Sequence, residues 1–216
     1  QGFATVCMSS RGSIGFSRAQ LSSEAGKLEI SRGWYPLLHP SIYDASKGIS
    51  HENGIVDNDI SMEKPFMLLT GPNMSGKSSL LRQIATTVIM SQIGCLVPAE
   101  KCEHGIVDSI MTRIGGDDNL ASGVSTFLNE MQGASNILSK MTERSLIVLD
   151  GLGRGTSTLD GYAIAYATAK YLASSTRCRP RVLFATHYHN LSDELKKSSD
   201  SEVDAWCVEK HIGVKS

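Results

Sequence analysis

Gly71-Pro72-Asn73-Met74-Ser75-Gly76-Lys77-Ser78 constrains this chain more than any other stretch: a glycine, four residues, then Gly-Lys-Ser. That is the phosphate-loop pattern, and its surroundings suit it. The apolar run Phe66-Met67-Leu68-Leu69 in front reads as a buried strand. Behind it, Leu81, Ile84, Ala85 and Val88 recur at helical spacing. Glycines at 71 and 76 let backbone N–H groups wrap a polyphosphate, and the positive end of the following helix adds to the charge complement. Lys77 is then placed to reach β- and γ-phosphates, and the Ser78 hydroxyl to hold Mg²⁺. The bland alternative is a chance glycine-rich turn, against which the flanking strand and helix both weigh. The stretch implies a nucleoside triphosphate site.

A second stretch supplies the other half of such a site. Ser145-Leu146-Ile147-Val148-Leu149-Asp150 is an apolar run ending in an acid, which delivers a carboxylate to the metal held by Ser78. Many sites of this kind carry a glutamate directly after the Asp; here that position is Gly151. Gly153-Arg154-Gly155-Thr156-Ser157-Thr158 follows. It reads equally as a loop capped by Ser157 or Thr158 at a helix start, or as one facing a second nucleotide site across a dimer. The polar loop from Gly115 to Phe127 ends at a helix N-terminus, which is either an anion site or a simple cap made by Ser125 and Thr126. His187, after the apolar run Val182–Ala185, stands where a strand end can sense a γ-phosphate, although a histidine there is more often structural.

At 216 residues the chain suits one domain with a small appendage and can bury about 70% of its unfolded surface. Lys and Arg total 21 against 22 Asp and Glu, with no basic block, so nothing predicts direct nucleic-acid binding by this segment alone. Five scattered cysteines argue against a zinc site or a disulfide framework and for a reducing compartment. No apolar run reaches membrane-spanning length. Residues 1–27 read as a leader or the end of a preceding domain. The first 23 contain no acid and suit either a targeting peptide or, the favoured reading, an internal segment of a longer protein. Residues 28–64 read as a strand-rich entry segment with turns at Leu38-His39-Pro40 and Asp57-Asn58-Asp59. Residues 65–195 read as the nucleotide-binding core and 196–216 as a polar, truncated tail. Within the core, strand-like runs alternate with helical ones, giving an α/β fold with a mostly parallel sheet flanked by helices. Two helical stripes, Phe127-Met131-Ala134-Leu138-Met141 and Leu159-Tyr162-Tyr166-Ala169-Ala173, are expected to face the core.

Taken together, these stretches resemble the ATPase domain of the MutS family of DNA mismatch-repair proteins. The resemblance is carried by Thr70–Met74 ahead of Gly-Lys-Ser, Gly94–Glu100 and Thr112–Gly115. Gly123 with Ser125-Thr126-Phe127, Gly153–Thr158 and Ala185–Tyr188 complete it, over about residues 36–195 in the family's order. Cys95, Tyr188-His189 and Asp160–Ala165 look most like the eukaryotic variable partners of nuclear heterodimers. The resemblance implies a P-loop NTPase of ABC-ATPase type in which two such domains sandwich ATP and Mg²⁺. It implies nucleotide contacts from Gly71, Pro72, Asn73, Met74, Ser75, Gly76, Lys77, Ser78 and Ser79, with Ile55 near the adenine and Ser78 and Asp150 on the metal. Asn73 and Lys77 would position phosphate and water, His187 would report on the γ-phosphate, and Ser125 with Thr126 would reach the partner subunit's nucleotide. Partners would be a second MutS homologue and, through domains outside this chain, mismatched double-stranded DNA in the nucleus.

The chain also departs from the family pattern. Gly151 replaces the water-activating Glu, a loss of roughly 10²–10⁴ in rate where such a group acts. Ser75 replaces a loop glycine, Ser79 a threonine and Leu38 an arginine. Ile55-Val56-Asp57-Asn58 stands where an aromatic and Pro-Asn are usual near the adenine. Two readings follow: a mismatch-repair ATPase with impaired turnover, or a non-hydrolysing ATP-binding subunit that completes a partner's site. An ABC ATPase of transport or chromosome maintenance is disfavoured, since no Leu-Ser-Gly-Gly-Gln signature occurs.

Overall fold

The computed structural model describes residues 15–23, 27–38, 57–72, 75–114, 126–175, 178–197 and 206–208. The strands are β1 (Gln20–Ser22), β2 (Leu28–Gly33), β3 (Asn58–Met62), β4 (Phe66–Thr70), β5 (Lys101–Gly105), β6 (Ser109–Ile114), β7 (Ser145–Asp150), β8 (Arg181–Thr186) and β9 (Trp206–Val208). The helices are α1 (Lys77–Gln92), α2 (Thr126–Lys140), α3 (Thr158–Ser174) and α4 (Asn190–Lys197), with a 3₁₀ turn at Pro36–Leu38. They fall into two compact units. One takes the described residues up to Glu63 together with Arg82–Ile106; the other takes Lys64–Leu81 and the described residues from Val107 onward. Helix α1 begins in the second unit and its residues from Arg82 belong to the first.

The first unit is built on a four-stranded sheet, β1-β5-β2-β3, parallel only between β1 and β5. Strand β2 alternates, with Leu28 and Ile30 buried and their neighbours facing outward, as a sheet with one wet face requires. Ile60, Met62 and Cys102 join them in the core. Three details differ from the sequence reading. Gln20–Ser22, expected in a featureless leader, pairs with β5; Asn58 and Asp59, expected in a turn, open β3; and β5 itself carries no apolar run that would announce it.

The second unit is a five-stranded, all-parallel sheet in the order β6-β7-β8-β4-β9. Every residue of β4, β7 and β8 is buried, which explains why these three read as unbroken apolar runs. Phe66, Leu68, Ile147, Leu149, Val182 and Phe184 form one core with Ala134 and Ile137 of α2 and Ala165, Ala169 and Leu172 of α3. Of the stripe expected on α3, Ala169 is in the core and Tyr162, Tyr166 and Ala173 pack against it, while Leu159 does not. The helix's buried line runs through Gly161, Ala165, Ala169 and Leu172, while Leu159, two residues or about 200° round the helix, is 84% exposed. The registers Leu69↔Ala185 and Asp150↔Ala185 bring the carboxyl ends of β4, β8 and β7 level. Loops that leave that edge make the site.

Candidate nucleotide-binding site

The loop after β4 delivers Lys77 at the start of α1, where the side chain is 6% exposed. Its ammonium donates to Gly71 O at 2.6 Å, Pro72 O at 2.7 Å and Ser75 Oγ at 3.4 Å, so all three protons are used within the loop. Burial pulls its pKa below the usual lysine value; Asp150 opposes the shift and Arg154 adds to it. To meet a phosphate, Lys77 must exchange these neutral acceptors for anionic ones, which are the stronger partners. Ser75 is not in the left-handed region, since Arg32 is the one positive-φ non-glycine residue among those described. The Cβ that replaces a glycine there is therefore accommodated.

Ser78, next on α1, donates from Oγ to Asp150 Oδ2 at 2.5 Å across 72 residues of sequence. Asp150 ends β7 and is 6% exposed. Mg²⁺ takes one or two carboxylate or hydroxyl ligands and completes its octahedron with water and phosphate oxygens. A single Ser–Asp pair beside a phosphate loop fits that ion. A cage of three or more His, Cys, Asp or Glu is absent among the described residues.

Around this pair stand the loop after β7 and the end of β8. Gly151 takes φ +69° and donates its N–H to Ala185 O at 2.9 Å. The Arg154 side chain curls back over it: a Cβ built on Gly151 would lie 2.5 Å from Arg154 Nε. His187 follows β8, its ring 4.2 Å from that of Tyr188, and its Nδ1 is buried with no hydrogen-bond partner among the described residues. Burial lowers its pKa, and Arg154, Lys77 and His189 push the same way, all favouring the neutral imidazole. Gly153, Arg154, Thr156, Thr158, His187 and Tyr188 line an open pocket of about 510 Å³.

A family model described as MutS domain V matches residues 67–213. This chain belongs to that family. The protein described as DNA mismatch repair protein MutS of Chlorobaculum tepidum is 45% identical to this chain over 182 residues, 83% of the chain and 20% of the relative. The namesake from Parabacteroides distasonis is 44% identical over 79% of the chain and 19% of its own length. That from Desulfitobacterium hafniense is 43% identical over 93% and 22%. The chain thus spans about a fifth of the length of these relatives. All three are bacterial, so they carry the family and not the eukaryotic heterodimer subclass expected from Cys95, Tyr188-His189 and Asp160–Ala165.

The remaining expected residues divide as follows. Gly71, Pro72, Ser75, Gly76, Lys77, Ser78, Ser79, Asp150 and His187 all lie in the second unit, on the edge just described. Ile55, Asn73, Met74 and Ser125 fall outside the described residues, and Thr126 opens α2. Asp57, expected to add charge near an adenine, pairs with Arg32 at 3.4 Å in the first unit. Ser157, one of the two expected caps, accepts from Asp160 N at 3.2 Å and so opens α3. Sequence reasoning missed Glu130, a buried acid on α2, as well as the position of Arg154. Only an acid interrupting the apolar face of a helix could have flagged the first.

Proposed function

We propose that this chain is the ATP-binding ATPase domain of a DNA mismatch-repair protein, in which occupancy of the nucleotide site switches a MutS-type dimer on DNA. The observation that carries the reading is the Ser78–Asp150 contact beside Lys77, since it brings both halves of a magnesium-triphosphate site to one sheet edge. Gly71, Ser75 and Gly76 with Lys77 would grip the phosphates, and Ser78 and Asp150 would hold Mg²⁺, which neutralises phosphate charge when bound. His187, neutral and with an unpaired buried nitrogen, is a group able to accept a hydrogen bond near the phosphate end or to reorient toward it. Calorimetric titration with ATP, with and without magnesium, tests the reading. Magnesium-dependent binding that disappears in Lys77→Ala is expected; a folded protein with no such affinity at millimolar ATP would end it.

A second reading, a non-hydrolysing subunit that holds ATP and completes a partner's site through Ser125, is favoured by Gly151. No carboxylate follows Asp150, and a guanidinium fills the place. Turnover measured with and without a MutS partner separates the two: hydrolysis by the chain alone, lost in Lys77→Ala, excludes the second. The nuclear heterodimer assignment, with mismatched DNA bound by domains elsewhere in the protein, rests on Cys95, Tyr188-His189 and Asp160–Ala165. Co-purification with a second MutS homologue from nuclei tests it, and recovery of a homodimer alone would overturn it.

A further inference from the structure

Glu130 is an acid buried to 4% exposure, one turn into α2, that none of the nucleotide contacts above employs. A carboxylate out of water is costly unless hydrogen bonds meet its charge. Here two backbone amides do so: Glu130 Oε1 accepts from Gly153 N at 2.7 Å and Oε2 from Gly155 N at 3.1 Å. Gly153 N belongs to the 152–153 peptide and Gly155 N to the 154–155 peptide, so a single side chain pins the loop before and after Arg154. The loop is confined from other directions too. A Cβ on Gly155 would lie 2.9 Å from the Phe127 backbone, and Tyr188 Oη donates to Gly153 O at 3.3 Å. Held in this way, Arg154 places its guanidinium over Gly151, with Cζ 2.8 Å from the point a Cβ there would take. Its charge is felt at both Lys77 and His187.

We propose that Glu130 is a positioning residue: by gripping the amides on both sides of Arg154, it holds the guanidinium above Gly151 as a second cation, beside Lys77, for the triphosphate. The inference rests on the reading of this edge as an ATP site and adds to it a basis for preferring ATP to ADP. A planar fork of N–H donors matches phosphate oxygens, and at Gly151 no side chain competes for the space. Glu130 itself touches no nucleotide; it acts through the loop.

The test is equilibrium titration of the full chain with Mg·ATP and with Mg·ADP, in the parent, Arg154→Ala, Glu130→Gln and the double variant. Losing one ionic hydrogen bond in Arg154→Ala should weaken ATP on the order of tenfold and ADP by less than about twofold. Glu130→Gln keeps the shape but accepts from only one amide, and should move the ATP-to-ADP ratio the same way by about threefold. Because both changes act through one guanidinium, the double variant should be no worse than Arg154→Ala alone. If Glu130→Gln does not fold, Glu130→Asp, shorter by one methylene, takes its place with the same expected shift. Equal losses for both nucleotides, an unmoved ratio or additive effects in the double variant would overturn the positioning role while leaving the ATP site standing. A parent without magnesium-dependent ATP affinity would overturn both.

Discussion

Gly151 stands directly after Asp150, where the resemblance leads one to expect a glutamate, and two substitutions there separate backbone strain from chemistry. At φ +69° a side chain enters the left-handed region, at about 1–2 kcal/mol for a residue with a Cβ. The same Cβ would stand 2.5 Å from Arg154 Nε, an overlap relieved when that exposed side chain swings aside. Gly151→Ala should therefore lose about 1–2 kcal/mol of stability, seen as a Tm lower by about 2–8 °C at this chain length. Gly151→Glu carries the same backbone strain and should be destabilised as much. Yet it places a carboxylate directly after Asp150. A positioned general base is worth roughly 10²–10⁴ in rate. Allowing for imperfect geometry in a strained loop, turnover in an assembled dimer should rise at least about tenfold over the parent. Gly151→Ala should show no such rise. Thermal denaturation and steady-state phosphate release, run side by side on both variants, decide the matter. An alanine variant as stable as the parent would refute the strain; a glutamate variant no faster than the alanine one would refute the missing base and leave water activation to another group such as His187.

The low pKa of His187 predicts a pH dependence. Its folded-state value lies below the ordinary 6.5, so as pH falls through about 6.5 the unfolded chain takes up a proton that the folded chain refuses. Stability attributable to this group is thus present above about pH 6.5 and lost on acidification, and His187→Asn should flatten that part of the parent's Tm-against-pH curve. Identical curves would show that the imidazole is not held neutral. Ser157→Ala removes the cap of α3 and should cost about 1 kcal/mol, a Tm lower by about 2–4 °C. No change in a melting experiment would mean that Asp160 N finds another acceptor.

Reading the chain before its fold locates the elements that hold the site but not all the contacts that tune it. Strands β4, β7 and β8 are legible because both their faces are buried, which forces continuous apolar runs. The Gly-Lys-Ser loop is legible because wrapping a polyphosphate demands particular residues at fixed spacing. Strand β5, Lys-Cys-Glu-His-Gly, is illegible for the converse reason: its place comes from pairing with β1 and β2, not from its own pattern. Leu159 misleads because a helical stripe read from hydropathy alone has no fixed centre; the small residues Gly161, Ala165 and Ala169 mark the face of α3 that packs closely.

The sequence by itself is enough for the α/β class, since uniformly buried strands show as apolar runs, and for the phosphate-loop pattern, which depends on short-range spacing. That Ser78 meets Asp150, 72 residues away, is expected only because an apolar strand ending in an acid complements such a loop. Only the tertiary structure set Glu130 against the amides of Gly153 and Gly155, Arg154 over Gly151, and His187 with an unpaired nitrogen. Glu130 sits on a separate element, 23 and 25 residues from the glycines it binds, and Arg154 reaches Gly151 within the loop those contacts hold. Hydrogen bonds and charges act through space, and one-dimensional spacing does not record which buried polar groups will meet.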